Sequence, residues 1–387
     1  MRILPIVLGV LIVSCTKYTD APLSKDNARL SLNSVADQKP ETCRFGLQVF
    51  NQIKRAPLPN DYSLKIKPRG QPEVTSRATI LLDFDGHETR HALWNGGNVV
   101  HATPANLLPA EVEKILQRVS EDFAPFDVTI TTDEALYART NPYKRVRVII
   151  TENWEWFGVV GGTAYINSFV WGDDTPCFIF STLLHYNEKF IAEAISHEAG
   201  HTLGLQHQAV YDGGCNMVSE YNEGYGEGPT GWAPIMGIGY YRNVTTWHKG
   251  PTSAGCGTVQ DDVAVLSAVL DLRPDENKEM NRDKLTSSVE GVINTNNDID
   301  YYYLDIKKPT TVVVHPKCLE QEEGANLKLK IHIYNKHRVF LKTISEPLSL
   351  SVRTVLNKEK YFIGVETEES KNQTRYGMLG RYTLSTE

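Results

Sequence analysis

The pattern of apolar and polar positions predicts an α+β fold in the first two thirds of the chain. Residues 79–84 form a short apolar run with β-branched members, which predicts a buried strand. Pro109 opens a segment whose apolar positions recur at helical spacing. The same criteria predict further strands at 127–131 and 146–151 and further helices at 188–205 and 260–272. Strands that alternate with helices favour a mixed sheet with helices packed on it.

Glycine marks the interruptions in this pattern. Gly161 and Gly162 predict a turn, and residues 178–181 after it predict an edge strand. Glycines crowd the segment from Gly213 to Gly257, which predicts loops there.

Beyond about Lys284 every apolar pattern is that of a strand. Short runs recur at 301–306, 310–314, 327–334, 349–355, 361–365 and 381–384. Closely spaced short strands without helical segments are typical of a β-sandwich.

The N-terminus and the overall charge set the compartment and exclude one class of partner. Arg2 precedes an apolar run at 3–13 that suits a signal peptide and is shorter than the ~20 residues needed to cross a bilayer. The run ends at Cys15 in a sequence that resembles a bacterial lipobox, which predicts lipidation of Cys15; the alternative is ordinary cleavage after Ser14 or Cys15. Forty Lys and Arg against 47 Asp and Glu give a net charge of −7, so we expect no nucleic-acid partner, and membrane contact only through the lipid.

The segment 197–207 carries the spacing of a metal site. His197 and His201 are four residues apart, so a helix places both on one face, with Glu198 beside them. Gly204 permits a positive φ that turns the chain and lets His207 reach the same ion. Three histidines and an open position are typical of a catalytic zinc site.

This segment resembles the zinc motif of the metzincin clan of metalloendopeptidases, and residues 233–237 resemble its Met-turn, with Met236 beneath the histidines. Further likeness to a secreted bacterial group of that clan lies in segments 81–87, 121–128, 161–166 and 236–242. Segments 291–293, 298–302 and 380–385 resemble the opening and final strands of a pre-peptidase C-terminal domain.

The resemblance implies a mixed, mostly parallel twisted sheet with an active-site helix, followed by an all-β sandwich. It implies one catalytic Zn²⁺, Glu198 as general base, and hydrolysis of internal bonds in proteins or peptides. Some metzincins place a zinc-reaching tyrosine two residues after the methionine. Ile238 stands there in this chain, so Tyr240 and Tyr241 are predicted to line the cleft rather than to bind the ion.

The resulting division is a signal peptide at 1–15, a pro-segment or tether at 16–76, a catalytic domain at 77–274, a linker at 275–286 and a sandwich at 287–387. The protein is expected to be secreted or held at the cell envelope. Two other functions remain open from the motif: a non-catalytic, zinc-stabilised surface adhesion or binding protein, and a zinc hydrolase acting on a bond other than a peptide bond.

Cysteines and acidic residues give three further hypotheses. Cys43 in the pro-segment can act as a cysteine switch in a zymogen, or be an unpaired cysteine of the tether. Cys215 and Cys256 bracket the Met-turn region, and a bridge between them would hold it together. Asp298 and Asp300, after Asn294 and Asn296, suit a structural Ca²⁺ site or a polar turn.

Overall fold

The computed structural model describes residues 42–45, 55–56, 77–275, 277–280, 285, 287–317 and 324–387, and gives no side-chain description for 42–45. The predicted signal peptide and Cys15 lie outside the described residues. In chain order the strands are β1 (Thr42–Phe45), β2 (Ala78–Asp83), β3 (His87–Arg90), β4 (Val99–Ala102), β5 (Val128–Thr131), β6 (Arg145–Thr151), β7 (Gly162–Tyr165), β8 (Cys177–Phe180), β9 (Val210–Tyr211), β10 (Met217–Ser219), β11 (Trp232–Pro234), β12 (Val244–Thr246), β13 (Lys249–Thr252), β14 (Gly255–Asp261), β15 (Ser288–Ile293), β16 (Asp300–Asp305), β17 (Thr310–Pro316), β18 (Leu329–Asn335), β19 (Phe340–Ser345), β20 (Val352–Leu356), β21 (Lys360–Thr367) and β22 (Gly380–Thr386). The α-helices are α1 (Pro109–Asp122), α2 (Glu134–Arg139), α3 (Glu188–Thr202) and α4 (Asp262–Leu270).

A six-stranded sheet with the order β1-β7-β8-β6-β2-β5 carries the first part of the fold. β5, β2, β6 and β8 are parallel, and β7 runs antiparallel to β8 and to β1. β2 and β8 are buried along their whole length, as their continuous apolar sequences predict. The apolar face of α1, which includes Val112, Ile115 and Val119, and the inner face of α3 complete the core.

Two sequence predictions are wrong at the edge of this sheet. β8 was predicted as an edge strand but lies between β6 and β7. Gly162 was predicted to sit in a turn but begins β7, because its missing side chain lets the strand approach α3 closely. The tether predicted at 16–76 also contains a strand, β1, which pairs with β7.

The C-terminal part forms two four-stranded antiparallel sheets, β15-β22-β17-β20 and β16-β21-β18-β19. Burial alternates along β16 and β18, so every second side chain faces the shared core. The mixed α+β fold and the sandwich-like pair of sheets therefore agree with the prediction. β19 was missed because four of its six residues are exposed and carry no apolar alternation.

Hydrogen bonds join the sandwich to α1. Glu121 accepts from the backbone N–H of Arg381 at 2.6 Å, and Asp122 accepts from the side chain of Asn326 at 2.9 Å. Both carboxylates are buried. Within the described residues, no helix combines the length and the apolar character that a membrane crossing requires.

Candidate metal centre

Helix α3 positions two of the predicted ligands. Asn187 caps it by accepting from the backbone N–H of Phe190 at 3.0 Å. The helix ends at Thr202 rather than at Leu205, because Gly204 adopts a φ of 108°, which reverses the chain toward His207. A Cβ at Gly204 would also lie 2.6 Å from the side-chain oxygen of Asn167. Glycine is therefore required there for two reasons.

The three predicted ligands meet at one point. Nε2 of His201 lies 3.1 Å from Nε2 of His197 and 3.1 Å from Nε2 of His207. All three side chains are buried. This group could bind a metal ion.

Hydrogen bonds to the other ring nitrogens fix how these histidines are protonated. Nδ1 of His197 lies 2.9 Å from the carbonyl oxygen of Ile235, and Nδ1 of His201 lies 2.7 Å from that of Leu205. A carbonyl can only accept, so each Nδ1 donates. Burial lowers the pKa of both imidazoles well below the ordinary value, which keeps them neutral. Each Nε2 therefore carries a lone pair directed at the common centre.

His207 is oriented by an acid that the sequence did not single out. Its Nδ1 lies 3.0 Å from Oε1 of Glu220, and the ring of Tyr221 packs 4.1 Å from its own ring, centroid to centroid. Both residues lie between β10 and β11 in the glycine-rich region, where no periodic pattern marks them. Their spacing from the ligands offers no sequence signal by which to find them.

Glu198 follows His197 on α3 and is fully buried against the backbone of β7. A Cβ placed at Gly162 would lie 2.7 Å from Cγ of Glu198. Strand β7 therefore passes directly over the side chain of Glu198, and only glycine leaves room for it.

Met236 is fully buried under the helix, in the turn between β11 and β12. A Cβ placed at Gly200 would lie 2.6 Å from its sulfur. Gly200 is thus a second glycine of the motif with a packing role, and it was not identified from the sequence. The turn is held by α3, which packs on the Met236 side chain, and by a hydrogen bond in which the Met236 carbonyl accepts from the backbone N–H of Gln208 at 2.8 Å.

The two tyrosines after the Met-turn differ in their surroundings. Tyr240 is buried, with its ring 4.7 Å from that of Phe190. Burial, and after it the negative charge of Glu198, raises the pKa of its phenol well above the ordinary value. Tyr241 is 68% exposed and contacts Phe190 from outside.

The cysteines are placed as follows. The predicted bridge between Cys215 and Cys256 is present and links the β9–β10 hairpin to β14. Cys177 is a buried free thiol on β8. Cys43 lies in β1 opposite Ala164 of β7. Its side chain is outside the described residues, so the cysteine-switch hypothesis stays a prediction.

Of the residues predicted to hold calcium, the two aspartates lie together and Asn296 is engaged elsewhere. Asp298 and Asp300 lie together with Asp275, with carboxylate oxygens within 4.8 Å of one another. The side-chain oxygen of Asn296 instead accepts from the backbone N–H of Gly377 at 2.8 Å.

Three solved structures show a remote likeness to this chain. No protein-family model and no curated protein match the chain. The pre-peptidase C-terminal domain of a collagenase from Bacillus anthracis is 15% identical, with a TM-score of 0.21, and the match covers 30% of this chain and 98% of that one. Catalytically inactive OgpA from Akkermansia muciniphila, solved with an O-glycopeptide substrate, is 12% identical, with a TM-score of 0.22, and the match covers 83% and 96%. The lysozyme inhibitor PliG from Aeromonas hydrophila is 14% identical, with a TM-score of 0.18, and the match covers 26% and 85%. Likenesses at this level assign neither family nor activity.

The contact between Gly200 and Met236 gives a testable prediction. At a solvent-exposed position in a helix, replacing glycine with alanine raises the free energy of unfolding by about 1 kcal/mol. Here the added methyl group would overpack against the Met236 sulfur, at a cost of about 1–3 kcal/mol, so Gly200→Ala is expected to cancel the helix gain or to destabilise the chain by up to about 2 kcal/mol. Urea unfolding of the two single variants and of the double variant with Met236→Ala measures the coupling. If Gly200→Ala changes the free energy of unfolding equally in the presence of Met236 and of Met236→Ala, the contact between residue 200 and the Met236 sulfur does not require glycine at position 200.

Proposed function

We propose that this chain is an exported zinc endopeptidase that hydrolyses internal peptide bonds, with Glu198 as the general base. The observation that carries the proposal is the convergence of three buried imidazoles, with two Nδ1 atoms on carbonyls and one on a carboxylate. A buried glutamate beside such a set, yet outside it, has the position of a base rather than of a ligand.

The donor set fits zinc. Ligand nitrogens at 2.0–2.1 Å from an ion in tetrahedral geometry are about 3.3 Å apart, close to the 3.1 Å that separates Nε2 of His201 from Nε2 of His197 and of His207. Three histidines leave a fourth position open, which is typical of a catalytic site rather than a structural one. The hydrogen-bonded Nδ1 atoms hold the rings in the orientation that zinc-binding histidines adopt.

The residues around the centre have distinct roles in this mechanism. Zinc, when bound, would lower the pKa of a water molecule and polarise the scissile carbonyl. Glu198 would accept a proton at its carboxylate and pass it to the leaving amine. β7 would pair with an extended peptide along its edge, next to Glu198, and Met236 would support the histidine rings from below.

Metal removal tests the proposal. The zinc-loaded chain, before and after limited proteolysis of the segment 16–76, is incubated with a peptide library and the products are identified by mass spectrometry. We expect cleavage at internal bonds, loss of cleavage with 1,10-phenanthroline, and recovery when zinc is returned. If zinc binds and stabilises the chain but neither form cleaves any peptide, the protein is a zinc-stabilised binding protein and the proposal fails.

We also propose that the pro-segment keeps the enzyme latent because its strand β1 occupies the edge of β7 along which a substrate would pair. β1 pairs antiparallel with β7, and Phe45 stands opposite Gly162, the residue that abuts Glu198. An extended substrate would need the same edge. The three histidines and Glu198 are each at most 1% exposed, which is consistent with a closed precursor.

Two variants separate strand pairing from thiol ligation as the cause of latency. Arg44→Pro removes a backbone N–H from β1 and disfavours its pairing, so we expect the unprocessed chain to gain activity toward the processed level. Cys43→Ser should do the same only if the thiol binds the metal. Activity of the purified precursors against a fluorogenic peptide is the measurement. Full latency in both variants would contradict the proposal.

The remaining assignments are proposals of the same kind. We assign catalysis to 77–274 and a separate sandwich module to 287–387, and we propose lipid attachment at Cys15. Cys15→Ala should move the protein from the membrane fraction to the soluble fraction. An unchanged distribution would indicate an unmodified, freely secreted protein.

A further inference from the structure

A second group of metal-ligating side chains lies far along the chain from the histidine centre, where the segment after α4 reaches the sandwich. The carboxylates of Asp275, Asp298 and Asp300 lie within 4.8 Å of one another. Asp298 and Asp300 are buried, and Asp275 is half-buried. Three negative charges at such distances repel one another strongly in a buried setting, so the arrangement calls for a compensating positive charge.

Two oxygens at this place have no hydrogen-bonding partner among the described residues. One is Oδ1 of Asp298, which is 5% exposed, while its other oxygen accepts from the backbone N–H of Asn294 at 2.9 Å. The second is Oδ1 of Asn294, which is 2% exposed. Buried polar oxygens nearly always have a partner, so these two oxygens are exceptions that require an explanation.

Asn294 connects the two chain segments that supply the carboxylates. Its backbone binds Asp298, and its side-chain nitrogen donates to the carbonyl of Arg273 at 2.8 Å. The segment continues alongside β16, where Tyr301 donates its backbone N–H to the carbonyl of Asn277 at 2.9 Å. These contacts hold Asp275 against the turn between β15 and β16.

We propose that Asp275, Asp298 and Asp300 bind a Ca²⁺ ion that fixes the connecting segment to the sandwich. The ligands are all hard oxygens, which Ca²⁺ prefers, and oxygens at 2.3–2.6 Å from one ion are at most about 5 Å apart. The site takes one carboxylate from the connecting segment and two from the sandwich. Binding would therefore neutralise the cluster and cross-link the two segments. This proposal is independent of the peptidase activity.

Terbium luminescence of the zinc-loaded full-length chain tests the proposal. Tb³⁺ replaces Ca²⁺ at oxygen sites and is excited through nearby tyrosines. The hydroxyl of Tyr382 lies 2.5 Å from Oδ2 of Asp300, and that of Tyr302 lies 2.7 Å from Tyr382. We expect a saturable signal that Ca²⁺ displaces and Mg²⁺ displaces only at much higher concentration. Ca²⁺ should also raise the melting temperature of the chain.

Three substitutions complete the test. Asp298→Asn and Asp275→Asn should each weaken Ca²⁺ binding about tenfold or more, because affinity follows the number of ligand charges. Asp275 is half-buried, so its variant is expected to fold even if Asp298→Asn does not. Asp305→Asn, on the same strand as Asp300 but paired with Lys307, is the matched control and should bind normally. Absence of a saturable signal, or equal affinity of Asp275→Asn and Asp305→Asn, would overturn the proposal.

Discussion

Replacing Glu198 with glutamine is expected to lower peptide hydrolysis by roughly 10²- to 10⁴-fold, the usual contribution of a positioned general base, and to leave bound zinc unchanged. Glutamine has the same shape as glutamate but cannot accept the proton. The buried setting between α3 and β7 leaves the side chain no alternative position, since the backbone at Gly162 already lies against it. Metal content and kcat/KM, measured on the same preparation, separate the two effects.

Glu220→Gln is the matched control for this substitution. Glu220 also lies at the centre, but it contacts Nδ1 of His207 rather than the open side. Loss of its charge should weaken zinc binding about 10- to 100-fold, with activity restored by excess zinc. If Glu198→Gln behaves like Glu220→Gln and is rescued by zinc, then Glu198 supports the metal and the assignment as a base is wrong.

The parts of the centre that the sequence predicted are those fixed by local geometry. Helical periodicity places His197 and His201 on one face, and Gly204 marks the turn that brings His207 round. These relations lie within eleven consecutive residues. Glu220, Tyr221 and Gly162 could not be found in this way, because loop closure and strand pairing bring them to the histidines from distant positions.

In the fold as well, the sequence predicts individual helices and strands but not which of them pack or pair together. The positions of α1, β2, β5 and β6 followed from apolar runs and were predicted within a few residues. The order of the strands in the sheet does not follow from these runs: the sequence predicts β8 at an edge and gives no sign that β1 pairs with β7. Apolar patterns report which faces are buried but not which neighbour covers them.

Patterning also misses charged residues that fold into the interior. Glu193 and Arg118 are polar positions in α3 and α1, yet their side chains are 4% and 5% exposed and form an ion pair at 3.0 Å. Lys189 donates to the same Glu193 oxygen at 3.1 Å, and Thr245 donates to it at 3.2 Å. One carboxylate therefore satisfies two cations and a hydroxyl, one helical turn before His197.

Glu193→Gln is accordingly expected to destabilise the chain by about 3–5 kcal/mol, the usual cost of removing one partner from a buried ion pair. The loss comes mainly from Arg118, whose buried charge would be left without Glu193 to compensate it, and to a smaller extent from Lys189, which is 24% exposed. Asp122 lies in the same buried region, where burial and the charge of Glu193 raise its pKa to about 7. Removing Glu193 should lower that pKa, and the pH dependence of unfolding measures the change.

The raised pKa of Asp122 determines whether the free energy of unfolding rises or falls with pH. Asp122 binds its proton more tightly in the folded chain than at its ordinary pKa of 3.8, so its contribution to stability is complete below pH 3.8 and disappears as the pH rises through about 7. In Glu193→Gln that loss should occur at lower pH. Glu188→Gln on the same helix is the control, because Glu188 forms a partly exposed pair with Lys114 that is worth at most about 1 kcal/mol. Equal destabilisation by the two substitutions would mean that the buried cluster does not hold α3 in place beneath the metal centre.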